Sequence, residues 1–568
     1  MTSNCNLKLA LTRSRSGGRW SVVRLNRWSH LLCSAITTVC LLGLTAGSGA
    51  ATGRSDVELK IGIVQRFGEE PTDQLNLQAT PGDRLTLSFK TGDAKREWQQ
   101  TLPARGVKLE VVMQPLPTPS VKEQVVLSTH RSFETAEDTA KQWRQRGIEV
   151  EIVQPKHWQV WAKREVYNTF LLRHLLLQSL QAKGNKTAYL DTKVQQQVPR
   201  ASWVVNGKRY NPDLVDITAD KNLIRVNQGK NDRSGRLYAG RMRLQPNAYS
   251  TYTLVNEVPL ETYLRGVVPH EIGAAAPSAA VEAQSIIART YALRNVRRFA
   301  VDNYQLCADT QCQVYRGLSG TVPNTDQAIA ATRGQVLTYQ NQLVDALYSS
   351  TTGGVTAAFG DVWNGAERPY LQPVVDAASN MWNLSRQSLA DENNFQRFIN
   401  LRRGFNETGW KMFRWRSESS MEQITHDLQR FLKVNKSQGA NFKKIQQLQV
   451  VQRSPGGRIL KLAIQTDRGI FALEKDEVRS AFSAPRSTLF YLQPLKKGNN
   501  PLWGYAFIGG GLGHGVGLSQ TGSHRLAELG WSSSRILDFY YPGTQIQSLG
   551  DNITFWSKRT DLHHLTIK

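Results

Sequence analysis

The stretch Asn256-Glu257-Val258-Pro259-Leu260-Glu261-Thr262-Tyr263-Leu264-Arg265-Gly266-Val267-Val268-Pro269-His270-Glu271 decides how this chain is read. It sets one acid, Glu271, among Val267, Val268, Pro269 and Ile272, and it runs into a segment patterned as a helix. From Ala274 to Phe299, residues Val281, Gln284, Ile287, Ala288, Tyr291 and Ala292 return at three- and four-residue intervals, and Pro277 and Ser278 suit the start. The inner face of that helix also carries Gln284 and Thr290, polar residues that a purely structural helix does not require. Apolar surroundings disfavour the charged form of an acid, so the pKa of Glu271 is expected to rise. An acid at a helix start also suits the macrodipole, and residue chemistry alone leaves both roles open. Glu257 and Glu261 are expected on the polar side of a strand-to-helix transition.

Further blocks follow. Tyr348-Ser349-Ser350-Thr351-Thr352-Gly353-Gly354 makes a hydroxyl-rich turn whose backbone could approach a sugar closely, or a glycine turn joining two strands. Gly510-Gly511-Leu512-Gly513-His514-Gly515-Val516-Gly517 is a loop of little side-chain bulk that presents His514, Ser519 and Gln520. Crowding of glycines around one histidine reads as a place of close approach. The loop lacks the lysine and Ser/Thr of a phosphate-binding loop, and Ser519 lacks the flanking glycines of a nucleophile elbow.

Gly266-Val267-Val268-Pro269-His270-Glu271, Ala283-Gln284-Ser285-Ile286-Ile287-Ala288-Arg289-Thr290-Tyr291-Ala292-Leu293, Asp309 to Gly317, Tyr348 to Gly354, His514 to Gln520 and Tyr540-Tyr541-Pro542-Gly543-Thr544 together resemble the stage II sporulation protein D (SpoIID) and amidase-enhancer family of cell-wall proteins. The resemblance runs from about Ser234 to Ser548. It implies a mixed α/β catalytic domain that cleaves peptidoglycan glycan strands, with Glu271 as general acid and base and Ser349, Ser350, Thr352, Gly353, Gly354, His514, Ser519 and Gln520 holding substrate. The implied reaction is that of a lytic transglycosylase on the β-1,4 bond between N-acetylmuramic acid and N-acetylglucosamine. The other branch of the family implies a non-catalytic, wall-binding enhancer of a cell-wall amidase. Relatives often carry Met-Pro after the acid, where this chain has Ile272-Gly273.

The 568 residues exceed what one hydrophobic core usually serves, so an α+β, multidomain chain is expected. Residues 1–50 hold no acid, carry Lys8, Arg13, Arg15, Arg19, Arg24 and Arg27, and continue into the apolar run Leu31 to Leu44. They read as an export signal with a cut before Ala51, or as an uncleaved anchor, which would be the protein's one tie to a membrane. The expected location is the periplasm or cell envelope. Removing those six charges from a formal +25 leaves about +19, so the mature chain is itself basic. Such a charge favours an anionic polymer, and export makes nucleic acid a poor one. Peptidoglycan, including glycan strands stripped of peptide, and a cell-wall amidase are the expected partners. No metal or other cofactor is expected. Of five cysteines, Cys307 and Cys312 lie outside the leader and read as a disulfide ahead of a zinc site or two free thiols.

Between leader and motif, residues 55–114 alternate short apolar runs with turns and read as a β-rich region. Pro115-Leu116-Pro117-Thr118-Pro119 reads as a linker. Residues 120–195 then read as β-α-β-β-α-β, a ferredoxin-like module. Its phrase Arg131-Ser132-Phe133-Glu134-Thr135-Ala136-Glu137-Asp138-Thr139-Ala140 is similar to SPOR domains, which bind denuded glycan strands. Trp158 and Trp161 could stack on sugars, although a large apolar residue in a strand is more often core. The SpoIID-like part spans 200–550, with 378–443 read as an insertion.

Overall fold

The computed structural model describes residues 56–550 and 553, apart from 94–95, 230–234 and 435–440. The expected export signal lies outside the described residues. The fold is α+β, with strands dominating the N-terminal part. The elements of the expected module form in order: β1 (Gly106–His130), α1 (Phe133–Gln145), β2 (Val150–Val153), β3 (Trp158–Ala162), α2 (Phe170–Ala182) and β4 (Tyr189–Val205). Ser132 caps α1 by accepting from Thr135 N, and Thr169 caps α2 by accepting from Leu172 N. The strands stand in the spatial order β4-β1-β3-β2, all antiparallel, which is the ferredoxin-like arrangement. Trp158 and Trp161 are both buried, so neither ring is offered to a ligand.

Pro115 to Pro119 is not a linker. β1 runs straight through it, paired with β4 from Lys108 to Val126. The pairing steps from Pro115 opposite Gln197 to Ser120 opposite Gln195, so the prolines sit in a bulge where no ladder N–H is needed. The β-rich region and the module are therefore joined by one continuous two-stranded ribbon.

Nor is the N-terminal region separate from the motif. Glu58–Phe67 lies antiparallel to β5 (Tyr252–Pro259), with Glu58 opposite Pro259 and Ile61 opposite Asn256. These strands belong to one sheet, whose order is Leu306–Cys307, Glu58–Phe67, β5, Arg241–Pro246, Val215–Ala219, Leu85–Asp93 and Arg96–Ala104. β5 leads into the short helices α3 (Leu260–Arg265) and α4 (Val268–Glu271), then α5 (Ser278–Arg294). The first residues of the described chain cap α3: Leu260 N donates to Val57 O at 2.8 Å, and Glu261 N to Asp56 Oδ2 at 3.2 Å.

Glu257 and Glu261 are buried rather than on a polar face. Glu257 pairs with Arg241, and Glu261 takes a two-pronged contact of 2.8 Å on each oxygen from the fully buried Arg289 of α5. α5 is shorter than its pattern because Pro277 stands at the cap and Gly273, at φ +91°, turns the chain before it. One continuous core links the large sheets, the module and α5. Trp415, Leu428, Leu462 and Phe507 belong to a second core, and Val355, Phe395, Phe405 and Ile508 to a third. The residues read as an insertion thus share cores with strands on both sides of them.

Candidate active site

Glu271 ends α4, half-buried, with Val267, Val268 and Ile272 of its apolar collar buried around it. Burial raises its pKa above the ordinary glutamate value, as its sequence setting predicts. Three donors act against that rise: Val314 N–H, 2.7 Å from Oε1, then Gln520 and Tyr348. Tyr348 is itself oriented. Gln313, fully buried, donates from Nε2 to the phenol oxygen at 3.1 Å, and Tyr263 OH donates to Gln313 Oε1 at 3.3 Å. The phenol proton is then directed at Glu271. Burial holds the Tyr348 phenol well above the usual tyrosine range, so it remains a donor.

The loop that supplies Val314 crosses the motif at Gly266. Arg316 N donates to Gly266 O at 3.1 Å, and a Cβ on Gly266 would lie 2.2 Å from Gly317 O. The glycine of the motif is therefore required by the loop that arms the acid. At its other end the loop is closed by a Cys307–Cys312 disulfide, with Cα atoms 5.5 Å apart. Arg298, buried beside it, donates to Gln311 O at 3.1 Å and pairs with Glu134 of α1, so the module braces the same loop. Closing so small a ring stabilises by about 2 kcal/mol. Cys307→Ser is expected to lose about that much in chemical denaturation, and reductant should bring wild type to the same midpoint.

The hydroxyl-rich turn divides into two groups. β6 (Tyr348–Ser349) pairs in parallel with β7 (Leu518–Ser519), the strand that opens α6 (Gln520–Glu528). Across this pairing Tyr348 and Gln520 reach the acid. Among the described residues Ser349 Oγ and Gln520 Nε2 are buried with no hydrogen-bond partner, although Gln520 lies close enough to Glu271 to favour its charged form. Ser350 is exposed, its carbonyl accepting from Thr521 N at 3.1 Å. His514 lies between Trp363, at 5.0 Å between ring centres, and the backbone of Tyr348. Its Nδ1 accepts from Val516 N at 3.0 Å, which leaves the proton on Nε2, and burial lowers its pKa to about 4.

Thr352, Gly353, Gly354 and Ser519 face elsewhere. They surround Glu407, a fully buried acid from within the expected insertion. Thr352 N and Ser519 Oγ donate at 2.5 Å, Thr351 Oγ1 and Gly353 N at 2.8 Å, and Thr352 Oγ1 and Gly354 N at 3.0 Å. Asp376, also buried, receives Tyr540 OH at 2.7 Å and Asn406 Nδ2 at 2.8 Å, and meets Thr352 Oγ1 at 3.2 Å. The glycine crowding has a local cause as well. A Cβ on Gly353 would lie 2.6 Å from the Gly510 carbonyl carbon, and one on Gly515 2.3 Å from Arg458. The close approach at these glycines is by the protein's own backbone and by a buried arginine.

Residues 248–339, which hold α4, Glu271 and the Val314 loop, match the family model described as Stage II sporulation protein. The chain contains a SpoIID domain. Residues 357–517 match a second model, Domain of unknown function (DUF8618), which takes in the expected insertion, Glu407 and the glycine-rich loop. The chain is 28% identical to the amidase enhancer of Bacillus subtilis over 64% of its own length, and spans about half, 53%, of that protein. It is 27% identical to stage II sporulation protein D of the same organism over 54% of its own length and 80% of that protein.

Three contributors around Glu271, and Glu407 beneath the hydroxyl-rich turn, escaped the sequence reading as site residues. Gln313, Val314 and Tyr348 lie in motif blocks, but nothing local says that they converge on Glu271. Glu407 lies in a polar stretch that gave no signal at all. Of the two polar residues on the inner face of α5, Thr290 donates to Ile286 O and accepts from Leu337 N, whereas Gln284 is fully buried with neither amide atom partnered among the described residues.

Proposed function

We propose that this protein cleaves peptidoglycan glycan strands as a lytic transglycosylase, with Glu271 as general acid and then base. The observation that carries the reading is the acid of a SpoIID domain, held above its ordinary pKa by burial yet facing three donors that stabilise its anion. A protonated carboxyl can deliver its proton to the bridging oxygen as the C1–O bond to the leaving sugar breaks. Val314 N–H, Gln520 and Tyr348 then stabilise the carboxylate left behind. The neighbouring acids Glu257 and Glu261 are committed to arginines, so the attacking group is assigned to the 6-hydroxyl of the muramic sugar. That oxygen bonds to C1, its proton passes to Glu271, and a 1,6-anhydro sugar results with the acid restored. Ser349, His514 and Gln520 are the side chains assigned to substrate, and Ser350 borders them. Thr352, Gly353, Gly354 and Ser519 shape the turn from beneath, through Glu407. Export to the envelope brings enzyme and wall together.

The test is mass spectrometry of soluble products from sacculi, intact and stripped of peptide. Anhydro-muropeptides support the reading, and reducing ends would replace it with hydrolysis by water. The similarity to an amidase enhancer favours a second reading, in which the protein binds the wall and stimulates a cell-wall amidase. Binding without products, together with faster release of peptides by an added amidase, would establish it.

The acid works while protonated, so kcat should fall as pH rises through the folded pKa of Glu271. Tyr348→Phe removes a donor to the carboxylate and pushes that pKa higher. The alkaline limb of the pH–kcat profile is expected to move to higher pH while the maximal rate drops, which a change confined to stability would not produce.

A further inference from the structure

α2 is apolar on both faces, yet only one is covered. Leu180 is buried, and Leu176 and Leu177 pack toward the core from the inner side. On the outer side Phe170 and Leu171 are each 63% exposed, Leu175 51% and Leu172 43%. A helix that is apolar all round is normally buried all round. The patch extends beyond the helix. Arg173 of α2 donates to Glu123 Oε1 on β1 at 3.0 Å, and Val121, two residues before Glu123, lies on the same face of the ribbon. Val121 stands directly opposite Val194 of β4, and these two are 62% and 63% exposed.

We infer that this face docks on a lipid surface bearing anionic headgroups. Two observations select that occupant. The patch is aliphatic with a single phenylalanine, whereas protein interfaces concentrate energy in Trp, Tyr and Arg and make little use of Leu and Val. Hydrocarbon accepts Leu, Val and Phe without any matching polar partner. The surrounding charge has the matching sign in Lys183 and Lys186, whereas Lys163, Arg164 and Arg173 are paired with Glu165, Glu151 and Glu123, and the chain as a whole carries a formal charge of +25. Lys183 and Lys186 are exposed where the chain leaves α2. A 13-residue helix is about 20 Å long, enough to lie in the headgroup plane and too short to cross a bilayer. This contact differs from an anchor through the leader, and it stands whether or not Glu271 is catalytic.

Amide hydrogen exchange on the full chain reads the site locally, so lipid binding by the leader does not mimic it. With vesicles of phosphatidylglycerol and phosphatidylcholine, exchange over Phe170–Ala182 should slow by about 5-fold or more. With phosphatidylcholine alone, or in about 0.5 M salt, the effect should be small. Leu171→Ser with Leu175→Ser should abolish it, while exchange in β3 stays as in wild type and reports an intact fold. Three results would overturn the inference: unchanged exchange on vesicles that bind the chain, protection that grows with protein concentration without lipid, and protection by sacculi but not vesicles. The second would mean a second copy and the third the wall.

Discussion

Glu271→Gln should lower glycan-strand turnover by roughly 10²- to 10⁴-fold, the usual contribution of a positioned general acid. Binding to sacculi should change little. The substitution keeps the shape of the side chain, and its carbonyl can still accept from Val314 N–H. What it removes is the proton that burial holds on Glu271 and the anion that Tyr348 and Gln520 stabilise. A loss in kcat with unchanged KM and affinity therefore marks a role confined to the transition state. If an amidase-stimulating activity survives Glu271→Gln intact, the catalytic reading falls and the enhancer reading stands.

Glu407→Gln is expected to damage the fold more than any change at the acid itself. Six donors converge on this carboxylate, three of them backbone N–H groups of Thr352, Gly353 and Gly354. An amide turns one acceptor oxygen into a donor facing other donors in a fully buried site. Removing one member of such a buried charged network costs about 3–5 kcal/mol. Chemical denaturation should show at least that loss, or the variant will not accumulate as folded protein. Asp376→Asn is the contrast. Burial and the adjacent Glu407 raise the Asp376 pKa well above the usual carboxylate range. The folded state therefore holds this proton more tightly than the unfolded state does. Its contribution to stability is complete below the unfolded pKa and is lost as pH rises through the folded one. A neutral amide avoids that loss, so Asp376→Asn should match or exceed wild type in stability at the alkaline end. Equal damage from both substitutions would refute the assignment of the charge to Glu407.

These expectations rest unevenly on the sequence. The module was legible because Trp158–Ala162 is a short apolar run and α1 and α2 have caps and stops of their own. Glu271 was legible because its apolar collar is contiguous in the chain. Pro115 to Pro119 misled, since a proline run reads as a break unless the partner strand, some 80 residues on, is known to leave a bulge opposite it. The split of the hydroxyl-rich turn was invisible for the same reason. Whether Thr352 faces a sugar or a buried acid depends on residue 407, and the same acid takes up Ser519. Charge and exposure diverged at Glu257 and Glu261, where arginines from other elements allow acids to be buried.

The cap on α3 also bears on how the chain matures. Asp56 and Val57 close the helix that precedes the Glu271 motif, and Glu58 begins the strand beside β5. A cut before Ala51 would leave five residues of slack ahead of that lock. Trimming past Val57 would strip both acceptors from the helix that precedes the one carrying Glu271, more than two hundred residues downstream in the chain. Proteolysis that reaches these residues would thus act as an off-switch for the acid, and the first intact residue of the chain becomes a measure of how much of it can work.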